Sequence, residues 1–350
     1  MTGLSIQALP MSSFSTGKIP TEVLVRNVLR YKGRLDKTVI MGSSVGEDAA
    51  LISHGKEVLV LTTDPVTGAS SDIGWVCVHV NANDIACRGA TPKWFLCDIL
   101  LPEGAGVRTL NSIMKQIDSA AREVNVAIVG GHTEVTPELD RPIIVGYMMG
   151  LAERGRFVTS SGARPGDTIL MTKTVGIEGT AVLAADFSRK LRKKMDARSL
   201  SLAKALRRSI SVVEDARLAV MSGGVRAMHD PTEGGLLQGV WELAEASKVG
   251  FRIYESRIPI RRETQKVCTV FKLDPLRLMS SGCLLLAVRR GMAERVVRRL
   301  SRHGIAASAI GAVTSRRMGR KLVGLDGGVR EIGPSERDEI YRVLESQKLQ

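Results

Sequence analysis

Four short segments in the first 135 residues carry acids, amides and glycines at the edges of apolar runs. They are Gly46-Glu47-Asp48-Ala49-Ala50, Thr62-Thr63-Asp64-Pro65, Asn81-Ala82-Asn83-Asp84 and Gly130-Gly131-His132-Thr133-Glu134. Carboxylate oxygens hold a hard cation such as Mg2+, and glycines let backbone N–H groups approach a polyphosphate. Each segment also has a plain structural reading. Gly46-Glu47-Asp48 can be a β-turn, and Asp64-Pro65 an Asx-turn. Asn81, Asn83 and Asp84 fall inside an otherwise apolar helical stretch, against their propensity, with Asn81 and Asp84 three apart on one face. Such local conflicts concentrate at functional sites. His132 can be a metal or phosphate ligand, or a satisfied structural histidine.

The second half adds two candidates. His229-Asp230-Pro231-Thr232-Glu233-Gly234-Gly235 precedes an apolar helix. Thr232 or Asp230 is a plausible cap there, and a helix N-terminus attracts anions. Lys173 ends an apolar run with Gly176 and Gly179 close behind. It reads as a phosphate-reaching lysine or as a surface lysine.

The elements that must position these residues follow from periodicity. Pro20 opens a helix over Thr21–Tyr31. Ala49–Ile52, Val58–Thr62, Trp94–Leu101, Val126–Val129 and Pro142–Leu151 read as strands, with helices over Ile73–Arg88 and Val107–Val124. Gly155–Pro165 reads as a junction. Beyond it we expect strands at Asp167–Lys173, Val225–Met228, Phe251–Tyr254, Cys283–Val288 and Ala307–Val313. Helices are expected over Ile177–Phe187, through the basic stretch to Arg208, near Val212–Met221, over Glu233–Ser247 and over Met292–His303. Strands alternate with helices in both halves, so each half is expected to be an α/β sandwich. The divisions are a flexible segment and helix over 1–37, an N-terminal domain over 38–155, a C-terminal domain over 165–333, and a helix or tail over 334–350.

The 350-residue length suits two domains. Charge is uneven: residues 1–150 carry 13 Lys/Arg against 15 Asp/Glu, and the whole chain is +14, so the excess lies in the second half. Basic clusters at Arg189–Arg208, Arg289–Arg302 and Arg316–Lys321 read as solvated helix faces, because no nucleic-acid-binding motif accompanies them. Nucleic acid is therefore not expected as a partner. Five cysteines without a CxxC lie in apolar runs, as expected for buried thiols of a cytoplasmic protein. Met1–Lys18 lacks the apolar core of a secretory leader, and no apolar run is long enough for a membrane span.

In order and spacing, GEDAALI, TTDP, HVNANDIACRGATPKWFL, LLPEG, GGHTEV, SGARPGDTILMTK, IEGTAVLA, HDPTEGGL and LDPLRLMSSGCLLLAV resemble the aminoimidazole ribonucleotide (AIR) synthase superfamily. The likeness covers roughly residues 40–315 and comes nearest to the hydrogenase-maturation carbamoyl dehydratase (HypE) branch. It implies a two-domain α/β fold whose N-terminal sheet pairs with its copy in a dimeric barrel. It also implies ATP and Mg2+, with transfer of the γ-phosphoryl group to an oxygen of a small-molecule or protein-bound substrate. By matching motifs, Asp48, Asp64 and Asp84 correspond to the Mg2+-binding acids, with Asp84 also taken as catalytic. Gly130, Gly131 and Thr133 correspond to the phosphate loop, and Asp230 to the second-domain motif facing the substrate. Gly46, Asp64, His132 and Glu134 join the nucleotide-binding candidates, and Lys173 the catalytic ones, from their own sequence context. A small-molecule kinase or synthase of thiamine or purine metabolism, and an ATP-binding regulatory protein, are the alternatives.

Departures from the family pattern are specific. HypE-type enzymes carry a reacting C-terminal cysteine, whereas the last cysteine here is Cys283. Thr63-Asp64-Pro65-Val66-Thr67-Gly68 lacks the lysine of the AIR synthase segment, and His132 stands where several relatives place an acid.

Overall fold

The computed structural model describes residues 14, 16–67, 72–334 and 337–348. Residues 1–13 of the expected flexible opening segment lie outside the described residues. In the first half the order is α1 (Thr21–Asn27), β1 (Val39–Met41), β2 (Ala50–His54), β3 (Glu57–Val66), α2 (Ile73–Cys87), β4 (Thr91–Leu101), α3 (Val107–Glu123), β5 (Ala127–Val135) and β6 (Ile143–Glu153). The second half begins with β7 (Thr168–Thr172), α4 (Ile177–Asp186), α5 (Ser188–Leu191), α6 (Ala197–Ala205), α7 (Val213–Ser222), β8 (Val225–His229), α8 (Gly235–Ser247) and β9 (Gly250–Tyr254). It continues through α9 (Arg262–Phe271), β10 (Leu285–Val288), α10 (Ala293–Arg302), β11 (Ala307–Thr314), β12 (Arg320–Val323), β13 (Val329–Glu331) and α11 (Glu339–Lys348). The short β1, β12 and β13 and the amphipathic α9 lie outside the elements expected from periodicity.

The first sheet has the order β1-β2-β3-β6-β4-β5, and the second β13-β12-β9-β11-β7-β10-β8. Alternating strands and helices usually make parallel sheets. Here β3, β6 and β4 pair antiparallel, and only β4–β5 runs parallel in the first sheet. The second sheet is antiparallel except for β12–β9.

Two strands run further than the sequence suggests, and both carry site residues. β3 continues through Thr63, Asp64 and Pro65, paired with Tyr147, Gly146 and Val145 of β6. β2 stops opposite Leu61, so Pro65, which has no N–H, occupies an unpaired edge of β3. β5 runs straight through Gly130–Glu134 beside β4, so these residues form an edge strand rather than a loop. Gly131 makes that possible: its φ is +148°, and a Cβ there would lie 2.0 Å from the Cys97 carbonyl oxygen.

α2 is buried along almost its whole length and lies between the first sheet and the second half. It sits close on β6 because a Cβ at Gly146 would fall 2.3 Å from Asn81 Nδ2, and one at Gly150 the same distance from Ile85. In the second half, alternation along β7 sends Ile169 and Met171 towards α8 and Leu170 towards α7 and α10. The halves share core: Ile177, Ala181, Leu206 and Ile210 pack with the first sheet's cluster, and Ala86 and Cys87 of α2 pack with the second's. Among the described residues no helix is long and apolar enough to cross a membrane.

Candidate functional site at the junction of the halves

Two cavities meet along the loop that carries Glu47 and Asp48. One, of about 810 Å³, opens over the first sheet against Leu61, Leu96, Met148 and Met149, with Gly131 and His132 on its wall. The other, of about 370 Å³, lies between the halves and is lined by Asp48, Asp64, Asp84 and Asp230 together with Lys18 and Glu233. Glu47, Asp48 and Thr63 line both.

Each acid is held by a different element. Gly46 (φ +75°) turns the chain tightly against α8, where a Cβ would lie 2.6 Å from the Glu242 carbonyl oxygen. Asp64 is fixed through its backbone: its N–H donates to Asn81 Oδ1 at 3.0 Å, and its carbonyl accepts from Asn81 Nδ2 at 3.2 Å. Asp84, one turn along α2, accepts from the Thr62 hydroxyl at 2.6 Å. Asp230 follows β8, is 2% exposed, and accepts from the Cys87 thiol at 3.4 Å; its Oδ2 is buried without a hydrogen-bond partner.

The helix-interior asparagines thus have two jobs. Asn81 pins the site strand. Asn83 joins the halves: Nδ2 donates to the Ile210 carbonyl at 2.9 Å, and Oδ1 accepts from Val212 N–H at 2.8 Å.

Crowding of carboxylates governs the electrostatics. Burial, then repulsion from Asp230, Asp64 and Asp48, pushes Asp84 well above the usual carboxylate range, against the Thr62 hydrogen bond. Burial and Asp48 push Asp230 up to about 7, with His229 and Cys87 opposing. Burial raises Asp64 to about 6, partly offset by Lys18. Glu178, at the start of α4, is raised to about 7 by burial.

Asp48 is better compensated than Asp64, Asp84 and Asp230. Its Oδ2 meets Arg88 Nη2 at 2.6 Å, and its Oδ1 lies 2.6 Å from His229 Nδ1. The latter is an ionic approach without aligned hydrogen-bond geometry. His229 Nε2 is 2.9 Å from Glu242 Oε2. Burial works against the imidazolium, but Asp48 and Glu242 hold its pKa well above the usual histidine value. Arg88, fully buried, also pairs with Glu47 and donates to Ser160 Oγ at 2.9 Å and the Met228 carbonyl at 3.1 Å. Glu47 is therefore committed to Arg88 and Ser160 N–H rather than to a ligand.

A divalent cation fits this arrangement. Asp48, Asp64, Asp84 and Asp230 face one cavity, three of them with depressed acidity, and Asp230 Oδ2 is an orphaned buried acceptor. Asp48, Cys87 and Asp230 present ligand atoms within 4.8 Å of one another.

The other expected site residues do not join the acids, although Gly131 and His132 line the wider cavity. His132 and Glu134 form an exposed pair, 3.1 Å apart, on the β5 edge, with Gly130 and Thr133 beside them. Lys173 points away from the acids: it sits at φ +52°, donates to the Ser211 carbonyl at 2.6 Å and lies 3.2 Å from Asp215. Those contacts tie β7 to the α7 region and leave Lys173 out of both cavities. Neither Thr232 nor Asp230 caps α8; Gly234 is the capping position, in the left-handed region, and its N–H donates to Asp338 at 2.7 Å. Sequence reasoning passed over Lys18, Arg88, Glu242 and Asp338. Only Arg88, an arginine closing an apolar helix, carried a local signal.

Residues 46–152 match the AIR synthase related protein, N-terminal domain, and residues 164–323 match its C-terminal domain. A putative hydrogenase expression/formation protein of Methanocaldococcus jannaschii is 30% identical, over 87% of this chain and 90% of the relative. A carbamoyl dehydratase HypE of Rhizobium leguminosarum bv. viciae is 32% identical, over 75% of each. The crystal structure of a hydrogenase maturation protein HypE in complex with ATP shares the fold, with a TM-score of 0.68 and 24% identity over 93% of this chain and 97% of that one. With both halves matched in order and relatives aligned along most of its length, the chain belongs to the AIR synthase related family, in its HypE-like branch.

Proposed function

We propose that the protein is a Mg2+- and ATP-dependent enzyme that phosphorylates an oxygen of a small-molecule or protein-bound substrate. The observation that carries this reading is the convergence of Asp48, Asp64, Asp84 and Asp230 on one cavity between the halves. Asp64, Asp84 and Asp230 are the residues that would hold the metal, whose bound charge offsets that of the phosphate oxygens. Asn81 and Thr62 hold the first two in place, and His229 keeps Asp48 aligned. The wider, apolar-walled cavity suits the nucleoside. Its shared border at Asp48 and Thr63 leads the phosphates towards the acids, where the acceptor meets them. The segment 38–155 then supplies most of the nucleotide site and 165–333 the acceptor side through Asp230.

The relative's name, carbamoyl dehydratase, supports a carboxamide-type oxygen as acceptor. All five cysteines of this sequence are buried, so none offers an exposed thiol to carry that group, and the substrate comes from elsewhere. A homodimer completes the reading. Every residue of β5 is exposed, and Ile128, Val129 and Val135 on it, with Trp94 and Tyr147 nearby, form an open apolar face that a second copy would cover.

The test is nucleotide-dependent stabilisation. Mg-ATP should raise the melting temperature of the wild type, and Asp64→Asn or Asp84→Asn should remove the shift. An undiminished shift in both variants would refute the site assignment. Phosphate release from Mg-ATP, dependent on an added metabolite pool, distinguishes a catalyst from a binder.

A further inference from the structure

Eight acidic side chains line the cavity between the halves, and very few cations face them. His229 is held between Asp48 and Glu242, and Arg337 pairs with Glu345 while lying over the Tyr341 ring. Lys18 is different. It sits on the short strap before α1, and its ammonium hydrogen-bonds a neutral hydroxyl, Thr232 Oγ1, at 3.1 Å.

The strap is anchored from both ends of the molecule. Lys18 N–H donates to Glu233 Oε2 at 3.0 Å, and the Tyr341 hydroxyl, on α11, donates to Glu233 Oε1 at 2.7 Å. Gly17 lies flat on the Tyr341 ring: its φ is +122°, and a Cβ there would come within 3.1 Å of a ring carbon. Glu233 thereby fixes where the strap crosses the cavity mouth and brings the lysine to it. Lys18 also borders a smaller chamber of about 90 Å³, shared with Asp64, Glu178, Ser281 and Tyr341.

Position and chemistry together define a role. A triphosphate running from the wider cavity past Thr63 presents its last phosphate among Asp64, Asp84 and Asp230. Asp64, Asp84 and Asp230 would hold a metal that offsets part of that phosphate's charge, and further positive charge would be needed among the remaining carboxylates. A flexible ammonium beside these acids can exchange its hydroxyl partner for phosphate oxygens. The β5 glycines do not line the cavity between the halves.

We propose that Lys18 is a γ-phosphate-binding residue, delivered by the N-terminal strap to the nucleotide's last phosphate in the cavity between the halves. The assignment rests on the nucleotide reading given above. It predicts a dependence on the third phosphate that a merely structural lysine would not produce.

The experiment compares affinities of the full chain for Mg-ADP and for the non-hydrolysable analogue Mg-AMPPCP by calorimetry, in wild type, Lys18→Met and Lys18→Arg. Lys18→Met should weaken Mg-AMPPCP about tenfold or more and Mg-ADP less than about threefold, as expected for one lost charge-assisted contact. Lys18→Arg should retain most of the analogue's affinity. Equal losses for both nucleotides, or tighter analogue binding in Lys18→Met, would overturn the assignment while leaving the nucleotide site standing. Wild-type protein that binds neither nucleotide would overturn the nucleotide reading and this inference together. Circular dichroism of both variants establishes that they are folded, since Lys18 lies on an exposed strap whose backbone contacts the substitutions retain.

Discussion

Replacing Arg88 with methionine should be among the most damaging single changes outside the apolar core. The guanidinium is wholly buried and faces Glu47 and Asp48, whose side chains are only 4% and 9% exposed. Removing one partner of a buried ion pair costs about 3–5 kcal/mol, because the other charge is left without compensation. Here two carboxylates lose their partner, but His229 still faces Asp48, so about 4 kcal/mol is a reasonable centre. At about 1.4 kcal/mol per tenfold, that lowers the folded-to-unfolded ratio by roughly three powers of ten. For domains of this size it corresponds to about 8–16 °C in melting temperature. Guanidinium unfolding followed by circular dichroism measures it. The origin is separable by a second change: Glu47→Gln added to Arg88→Met should recover part of the loss, since it removes a stranded charge, whereas lost packing would not be recovered. A loss below about 1 kcal/mol in Arg88→Met, or no recovery in the double variant, would refute the electrostatic account.

Two further outcomes follow from the same region. Asp64 and Asp230 have folded-state pKa values raised to about 6 and about 7, above an unfolded value near 3.9, so the fold binds the extra protons between about pH 4 and 7. The metal-free protein should therefore lose stability from these groups as pH rises through that window. Mg2+ affinity, measured by titration at pH 5.5 and 7.5, should strengthen with pH because metal and proton compete. A flat or inverted dependence would contradict the raised acids. Asn83→Ala should cost about 1–3 kcal/mol by stranding the Val212 N–H and Ile210 carbonyl. Chemical denaturation of that variant would give under 0.5 kcal/mol if those groups found other partners.

Much of the architecture was legible because periodicity is strong where helices and strands are long. α2 and α3 begin and end within one residue of their expected limits, bounded by a residue before Ile73 and a turn before Val107. The failures have local causes. Pro65 reads as a stop, yet an unpaired strand edge tolerates it, so β3 carries Asp64 in its body rather than at its end. Gly130 and Gly131 follow an expected strand end at Val129, yet β5 carries on past them with a register shift at Val129 and a positive φ at Gly131. β12 and β13 are too short to show a period. The acids of the cavity stood out one by one, but their convergence depends on how the halves pack. That packing also explains what was missed: Lys18 and Asp338 lie far along the chain from the acids they neighbour, and only tertiary structure brings them together.

The contacts that join the halves are placed on the residues that flank the acids. Arg88 follows Asp84 by four positions on the same buried segment and clamps Asp48 to the Met228 carbonyl. Asn83, next to Asp84, binds the chain between α6 and α7. Gly46, two residues before Asp48, rests on α8, and His229, one before Asp230, bridges Asp48 and Glu242. Separating the halves would relieve the repulsion of Asp230 by Asp48 and Asp84, but it would part His229 from Asp48 and Arg88 from the Met228 carbonyl. The halves are thus pulled together by His229 and Arg88 and pushed apart by the acids. A ligand that adds positive charge among the acids shifts that balance towards closure, so metal binding and the docking of the halves must be linked.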